Sequence, residues 1–311
     1  MHFLVIGPGA MGTLFSVRLN RAGHHVTLLD YKDDRAEWIR KNGIRIDGLT
    51  QAAGVRIPVV TTAVSGPIDA VLVCVKSTQT ETVARELVGW LPPDSSILTL
   101  QNGLGNLETL SGILGNGRVF GGVTSEGATL IGPGHAKHAG RGETLIGPSG
   151  NDPAGEHPVN KIVSAFQEAG FDTRATDEVE GLIWGKLIVN VGINALTAVT
   201  GLKNGRIPQI KGTKDLMEGA VAEAVAVARA KGVKLPYSDP LKRVIDVCRA
   251  TAENVASMLQ DVLAKKPTEV GFINGAIVRE GKTLGIPTPV NWALTRLVEA
   301  LQETYDERLS R

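Results

Sequence analysis

The chain has 311 residues, 42% hydrophobic and 21% charged, with a formal net charge of +1. That length fits about two domains. The near-zero charge excludes a global basic field for nucleic acid or an anionic membrane, and an aromatic content of 4% leaves no stacking platform for single strands. No run reaches about 18 uninterrupted apolar residues, so no transmembrane helix is expected. The first strand begins almost at Met1, which leaves no room for a signal peptide. Cys74 and Cys248 fit neither a CxxC nor a zinc pattern, and a reducing cytoplasm is the expected compartment.

In chain order, residues 3–6 read as a buried strand, followed by a glycine-rich turn and a helix to about Ala22. His25–Leu29 reads as a second strand, ending at Asp30. The apolar run Ala70–Val75, with Cys74 as a core residue, and the run Ser96–Leu100 come next; shorter strand signals lie at Val119–Val123 and Glu143–Ile146. Continuous Val/Ile/Leu runs alternating with helical stretches predict a mostly parallel sheet covered on both faces. After about residue 175 the pattern is helical throughout: 178–202, 214–231 closed by Gly232, 239–263, 268–284 stopped by Gly285-Ile-Pro287, and a last helix capped by Asn291 and running to about Arg308. The fold class is therefore α/β, an N-terminal doubly wound sheet over residues 1–175 followed by an all-α domain over 176–311.

Gly7-x-Gly9-x-x-Gly12 is a weak motif alone, but here it follows a strand and opens a helix. The first glycine permits the tight turn, the second lets a pyrophosphate approach the backbone, and the third lets helix and strand pack closely. Gly7, Gly9, Ala10, Met11 and Gly12 are candidate dinucleotide contacts; the alternative is a glycine-rich turn without a ligand. Asp30 ends the second strand, where a carboxylate bonds the adenosine ribose and repels a 2′-phosphate. That favours NAD(H). A surface turn aspartate is the plainer reading, and Lys32 and Arg35 lie close enough to hold a 2′-phosphate and admit NADP(H).

Lys186, Asn190 and Asn194 recur every four residues in an otherwise apolar segment, so a helix there carries an amine and two carboxamides on one face. Burying such groups unpaired is costly. The stripe therefore points to a polar ligand or to a polar network inside the protein.

Together these features resemble the ketopantoate reductase family over nearly the whole length. Besides the N-terminal glycines, the resemblance rests on several motifs. They are Val75-Lys76-Ser-Thr-Gln79, Gln101-Asn102-Gly103-Leu-Gly105, the Lys186/Asn190/Asn194 stripe, Asn254-Val-Ala-Ser257-Met258, Thr268-Glu269 leading to Asn274-Gly275, and Gly285-Ile-Pro-Thr-Pro-Val-Asn291. The resemblance implies a Rossmann-type domain, a helical domain and an active site in the cleft between them, with domain closure on substrate. It implies NAD(P)H-dependent reduction of ketopantoate to D-pantoate, in pantothenate and coenzyme A biosynthesis. Lys186 would be the general acid and Glu269 a second active-site residue. Asn190, Asn194, Asn254 and Ser257 would bind substrate. Lys76, Gln79 and Asn102 would lie on the cofactor, Asn102 near the nicotinamide. The chemistry agrees: reducing a 2-keto acid leaves an alkoxide, and a lysine both protonates it and stabilises the developing charge. The plainer alternative makes Lys186 a structural ion-pair partner of Glu269.

One departure stands out. Family members that use NADP usually carry an arginine just after the second strand, and this chain has Tyr31 there, preceded by Asp30. The alternative function is an NAD-dependent D-2-hydroxyacid dehydrogenase acting on other branched or bulky 2-keto acids; a non-catalytic dinucleotide-binding protein is a third. His135-x-x-His138 lies in a Gly-rich loop without a third ligand, so a surface strand or turn is expected there and no metal. The expected partner is a small 2-keto acid, with neither nucleic acid nor membrane. The apolar helices of the second half, 216–230 among them, suit a core or a homodimer contact.

Overall fold

A computed structural model describes residues 1–148 and 156–307. The chain divides into two compact units, Met1–Gln101 with Asn106–Val179, and Asn102–Gly105 with Glu180–Arg311.

The sheet unit runs β1 (His2–Ile6), α1 (Ala10–Arg21), β2 (His25–Leu29), α2 (Asp33–Asn42), β3 (Ile44–Gly48), β4 (Ala52–Val55), β5 (Val59–Val60), β6 (Ala70–Val73), α3 (Thr80–Val88), β7 (Ser96–Thr99), α4 (Asn106–Leu114), β8 (Val119–Thr124), β9 (Gly127–Gly132), β10 (His135–Gly140), β11 (Thr144–Pro148), α5 (Glu156–Glu168) and β12 (Thr173–Ala175). Eight strands form one sheet in the order β12-β11-β8-β7-β6-β1-β2-β5. Every neighbouring pair is parallel except β8 with β11. The expected covering of both faces is visible in β1: Phe3 and Val5 join one apolar cluster, Leu4 and Ile6 another. Alternate side chains of a strand point to opposite faces, so a strand buried on both is apolar throughout.

A second sheet, in the order β4-β3-β10-β9, was not expected. It occupies the segment read as a Gly-rich loop, and His135 and His138 stand on its strand β10. His138 is buried rather than on the surface.

The helical unit holds α6 (Val179–Thr200), α7 (Lys211–Ala230), α8 (Pro240–Ala250), α9 (Ser257–Leu263), α10 (Asn274–Leu284) and α11 (Pro289–Glu303). By length and composition α6 could cross a membrane, with a mean hydropathy of 1.5, but 67% of that window is buried inside the protein. Its apolar residues, among them Trp184, Leu187, Ile188, Val191 and Leu196, build the core of this unit. Glycines fix its seat. A Cβ on Gly181 would stand 2.3 Å from the Lys234 carbonyl oxygen, and one on Gly185 would stand 2.6 Å from the Tyr237 hydroxyl.

Three helix expectations are corrected. The stretch 239–263 is two helices, because residues 252–254 pair with another backbone segment: Asn204 N–H donates to Asn254 O and Gly205 N–H to Ala252 O, both at 3.2 Å. The stretch 268–284 becomes an α-helix only at Asn274, after a 3₁₀ turn at Val270–Phe272. Asn291 does not cap α11. Thr288 occupies the cap position without a capping side-chain bond, and Pro289 opens the helix. The carboxylate of Glu223, on α7, takes over by accepting from the backbone N–H groups of Val290 (2.8 Å) and Asn291 (2.9 Å). A carboxylate at a helix N-terminus satisfies its open donors and complements its dipole. Arg308 lies outside the described residues.

Candidate active site

In the sheet unit, Gly7 has φ +93°, and a Cβ on it would stand 2.9 Å from the Val75 nitrogen. A Cβ on Gly12 would lie 2.2 Å from the Gly7 carbonyl oxygen. The chain's own packing therefore demands both glycines. Gly9 differs: its φ is −73°, and a Cβ there would meet nothing nearer than the Cys74 carbonyl oxygen at 3.9 Å. Packing does not need a bare backbone at Gly9, but a pyrophosphate would. Gly9 caps α1, whose first turn, with Ala10 and Met11 half-buried, carries no acidic residue. The open N–H groups there suit an anion.

Asp30 is 1% exposed, and both its oxygens are taken. Arg35 Nε donates to Oδ2 at 2.5 Å and Nη2 to Oδ1 at 2.6 Å, while the Lys32 N–H donates to Oδ1 at 3.1 Å. The sequence set Asp30 and Arg35 against each other as cofactor-reading groups; the fold makes them partners. Lys32, Asp33, Asp34 and Arg35 line a cavity of about 390 Å³. Tyr31 is hydrogen-bonded to Glu86, and burial together with that carboxylate pushes its phenol well above the ordinary range. Lys76 and Gln79 are exposed at the two ends of the turn that leads from β6 into α3.

In the helical unit, Lys186, Asn190 and Asn194 do share one face of α6. Lys186 and Asn190 are half-buried and Asn194 is 5% exposed. Among the described residues neither carboxamide side chain has a hydrogen-bond partner. Glu269 is 9% exposed, just ahead of the 3₁₀ turn. Burial pulls the Lys186 ammonium down to about 8, and the charge of Glu269 partly opposes that fall. A lysine held near neutrality can give up its proton readily while still carrying it at working pH.

Asn102 belongs with this unit too. Its short segment sits tightly on the residues that follow Glu269. The Leu104 N–H donates to the Phe272 carbonyl at 2.9 Å, and a Cβ on Gly103 (φ +88°) would stand 2.4 Å from that oxygen. Asn254 and Ser257 are exposed, Asn254 in the break between α8 and α9 and Ser257 at the start of α9. Among the described residues no hydrogen bond joins either side chain to the α6 stripe.

Sequence reasoning passed over a buried chain of hydrogen bonds in the sheet unit. Thr99 Oγ1 donates to Gln101 Oε1 (2.8 Å), and Gln101 Nε2 donates to the Val75 carbonyl (2.8 Å) and to Thr80 Oγ1 (3.0 Å). Thr80 Oγ1 donates to Asn106 Oδ1 (2.8 Å), and Asn106 Nδ2 to Ser77 Oγ (3.0 Å). Apart from Thr99 with Gln101, the bonded pairs are 21 to 29 positions apart in sequence, beyond the reach of any local pattern. His135 pairs with Asp47 and His138 with Glu126, so neither histidine is idle.

Residues 3–151 match the family described as Ketopantoate reductase PanE/ApbA, and residues 178–302 match Ketopantoate reductase PanE/ApbA C terminal. A 2-dehydropantoate 2-reductase of Halobacterium salinarum is 37% identical over 307 residues, covering 97% of this chain and 99% of that protein. The crystal structure of a PanE/ApbA family ketopantoate reductase from Ralstonia eutropha superposes with a TM-score of 0.89 at 34% identity, over 98% of this chain and 99% of that one. D-mandelate dehydrogenase, solved with NADH and anilino(oxo)acetate, superposes with a TM-score of 0.90 at 25% identity, over 98% of this chain and 100% of that one. With both halves matched and a full-length relative at that identity, the chain belongs to the ketopantoate reductase PanE/ApbA family.

Proposed function

We propose that this protein is a 2-dehydropantoate 2-reductase, reducing ketopantoate to D-pantoate on the way to pantothenate and coenzyme A. The carrying observation is the α6 stripe: a lysine drawn toward neutrality beside Glu269, followed at four-residue steps by two carboxamides with unused bonding capacity. A bound reduced nicotinamide would supply the hydride. Lys186 then gives its proton to the oxygen that becomes the C2 hydroxyl and stabilises the developing negative charge meanwhile. Glu269 keeps enough proton on Lys186 for that task. Asn190 and Asn194, with Asn254 and Ser257, bond the polar groups of the keto acid and fix which face of its carbonyl is reduced.

In this reading the sheet unit, residues 1–175 in the main, holds the dinucleotide through Gly7, Gly9, Ala10, Met11, Gly12, Asp30, Lys76 and Gln79, with Asn102 at the nicotinamide end. The helical unit, from about residue 176 onward, holds the keto acid. The ion pair Asp30–Arg35 supports use of both cofactor forms. Asp30 Oδ2 accepts one bond and keeps a lone pair for a ribose hydroxyl, but a carboxylate neutralised by a bidentate arginine repels a 2′-phosphate less, and Arg35 retains a further donor group for it. The reading includes a cytoplasmic setting, supported by two free thiols. It also includes a homodimer, supported by Trp292, Leu297 and Leu216 exposed on α11 and α7.

The likeness to D-mandelate dehydrogenase motivates a second reading, NAD-linked reduction of other branched or bulky 2-keto acids. The higher identity to 2-dehydropantoate 2-reductases favours the first. Initial rates with ketopantoate, measured with NADH and NADPH side by side, decide between them. Turnover is expected with both cofactors. A ketopantoate kcat/KM well below that of a phenyl-substituted keto acid would transfer the assignment to the second reading.

A further inference from the structure

We infer that the Thr80 hydroxyl is a positioning group that sets Lys76 and Asn102 at the cofactor, a role that rests on the dinucleotide reading above. Thr80 is 2% exposed at the start of α3, and its single hydroxyl uses both its capacities: it donates to Asn106 Oδ1 and accepts from Gln101 Nε2. Gln101 is the residue immediately before the Asn102–Gly105 excursion, and Asn106 is the residue immediately after it. One hydroxyl therefore ties the two feet of that excursion together. The same relay reaches both neighbours of Lys76: Gln101 Nε2 bonds the Val75 carbonyl, and Asn106 Nδ2 bonds Ser77 Oγ.

All of these groups lie just past the carboxyl ends of β6 and β7, where ligands bind in doubly wound sheets. The excursion has little slack of its own, because Gly103 and Leu104 are pressed onto the Phe272 carbonyl. A small displacement of its feet is then carried to Asn102 rather than absorbed. Displacements of about 1 Å at reacting groups can cost about 10²-fold in rate.

The test compares Thr80→Val, which keeps the shape and deletes the hydroxyl, with Thr80→Ser, which keeps the hydroxyl. Thr80→Val is expected to weaken NADH or NADPH binding, followed by the cofactor's fluorescence without any keto acid, by about tenfold, the scale of one net hydrogen bond. It is also expected to lower kcat with ketopantoate while leaving the keto-acid KM within about twofold. Thr80→Ser restores both. Should Thr80→Val not fold, Ser77→Ala at the end of the relay is expected to shift the same two quantities in the same direction by less. If either variant lowers Tm and leaves cofactor affinity and kcat at wild-type values, the relay is scaffold only and the inference is overturned. Because the binding measurement contains no keto acid, it stands if ketopantoate proves the wrong substrate. A wild type that binds no dinucleotide would overturn both readings together.

Discussion

Two regions bury polar side chains and dispose of them in opposite ways. On β10, His138 is 1% exposed and fully engaged: Nδ1 lies 2.8 Å from Thr50 Oγ1, and Nε2 lies 2.7 Å from Glu126 Oε2 and 3.0 Å from the Gly140 carbonyl. Two acceptors face Nε2, so that nitrogen carries a proton. Glu126 in turn lies 4.0 Å from Arg18, which stacks over Phe171 and donates to the Ala169 carbonyl. On α6, Asn190 and Asn194 reach no such partners among the described residues. A native interior matches its polar groups internally unless something else is to match them. The histidine cluster is thus part of the architecture, and the open carboxamides of α6 are what support the proposed reading of that stripe as a site.

That contrast breaks first at Lys186. Lys186→Ala should lower kcat by at least about 10²-fold, the scale of general-acid catalysis. Any fall in Tm should be smaller than that loss of rate, since the relief of Lys186 desolvation is offset by the Glu269 carboxylate left without its cation. A variant with near wild-type turnover would take Lys186 out of the acid role. His138→Leu should do the reverse. It leaves the Glu126 carboxylate, 3% exposed, without its nearest donor, which costs about 3 kcal/mol of stability. Denaturant titration should show that loss while the KM for ketopantoate stays put. An unchanged unfolding midpoint would mean that the cluster holds nothing together.

The parts of the molecule that sequence made legible are those in which local pattern and final packing agree. The strands of the large sheet are apolar on both faces because both faces are covered, so β1, β2, β6 and β7 stand out as runs. The α6 stripe survives because four-residue spacing is a property of the helix itself. A surface strand or turn was expected at His135–His138, but the second sheet it joins was not, because Gly, Ala, His and Lys dilute any alternation in β9 and β10 and register shifts interrupt their pairing. The break after α8 carries no Gly or Pro; backbone pairing with residues 204–205 imposes it. Asn291 looked like a cap because asparagine often is one, although Pro289 already marks the first helical turn and puts the cap at Thr288. The Thr80 relay joins residues whose meeting only the fold decides.

The smallest effect sharpens the comparison most, because it reads the electrostatics of the stripe without deleting it. With Lys186 drawn down to about 8, the amine is protonated below that pH and loses its proton above it. Ketone reduction needs the protonated form, so kcat should be flat at neutral pH and fall as pH rises through about 8. Alcohol oxidation, which needs the free amine, should rise over the same interval. Burial lowers this lysine and the Glu269 charge raises it, so Glu269→Gln removes the raising influence. The falling limb of reduction should therefore move to lower pH, with the plateau rate reduced further if Glu269 also bonds substrate. A limb that stays at its wild-type pH in Glu269→Gln would show that Glu269 does not act on Lys186 through charge. An ordinary exposed lysine would keep its limb near 10, so the wild-type profile alone tests whether α6 holds its amine as a buried, working group.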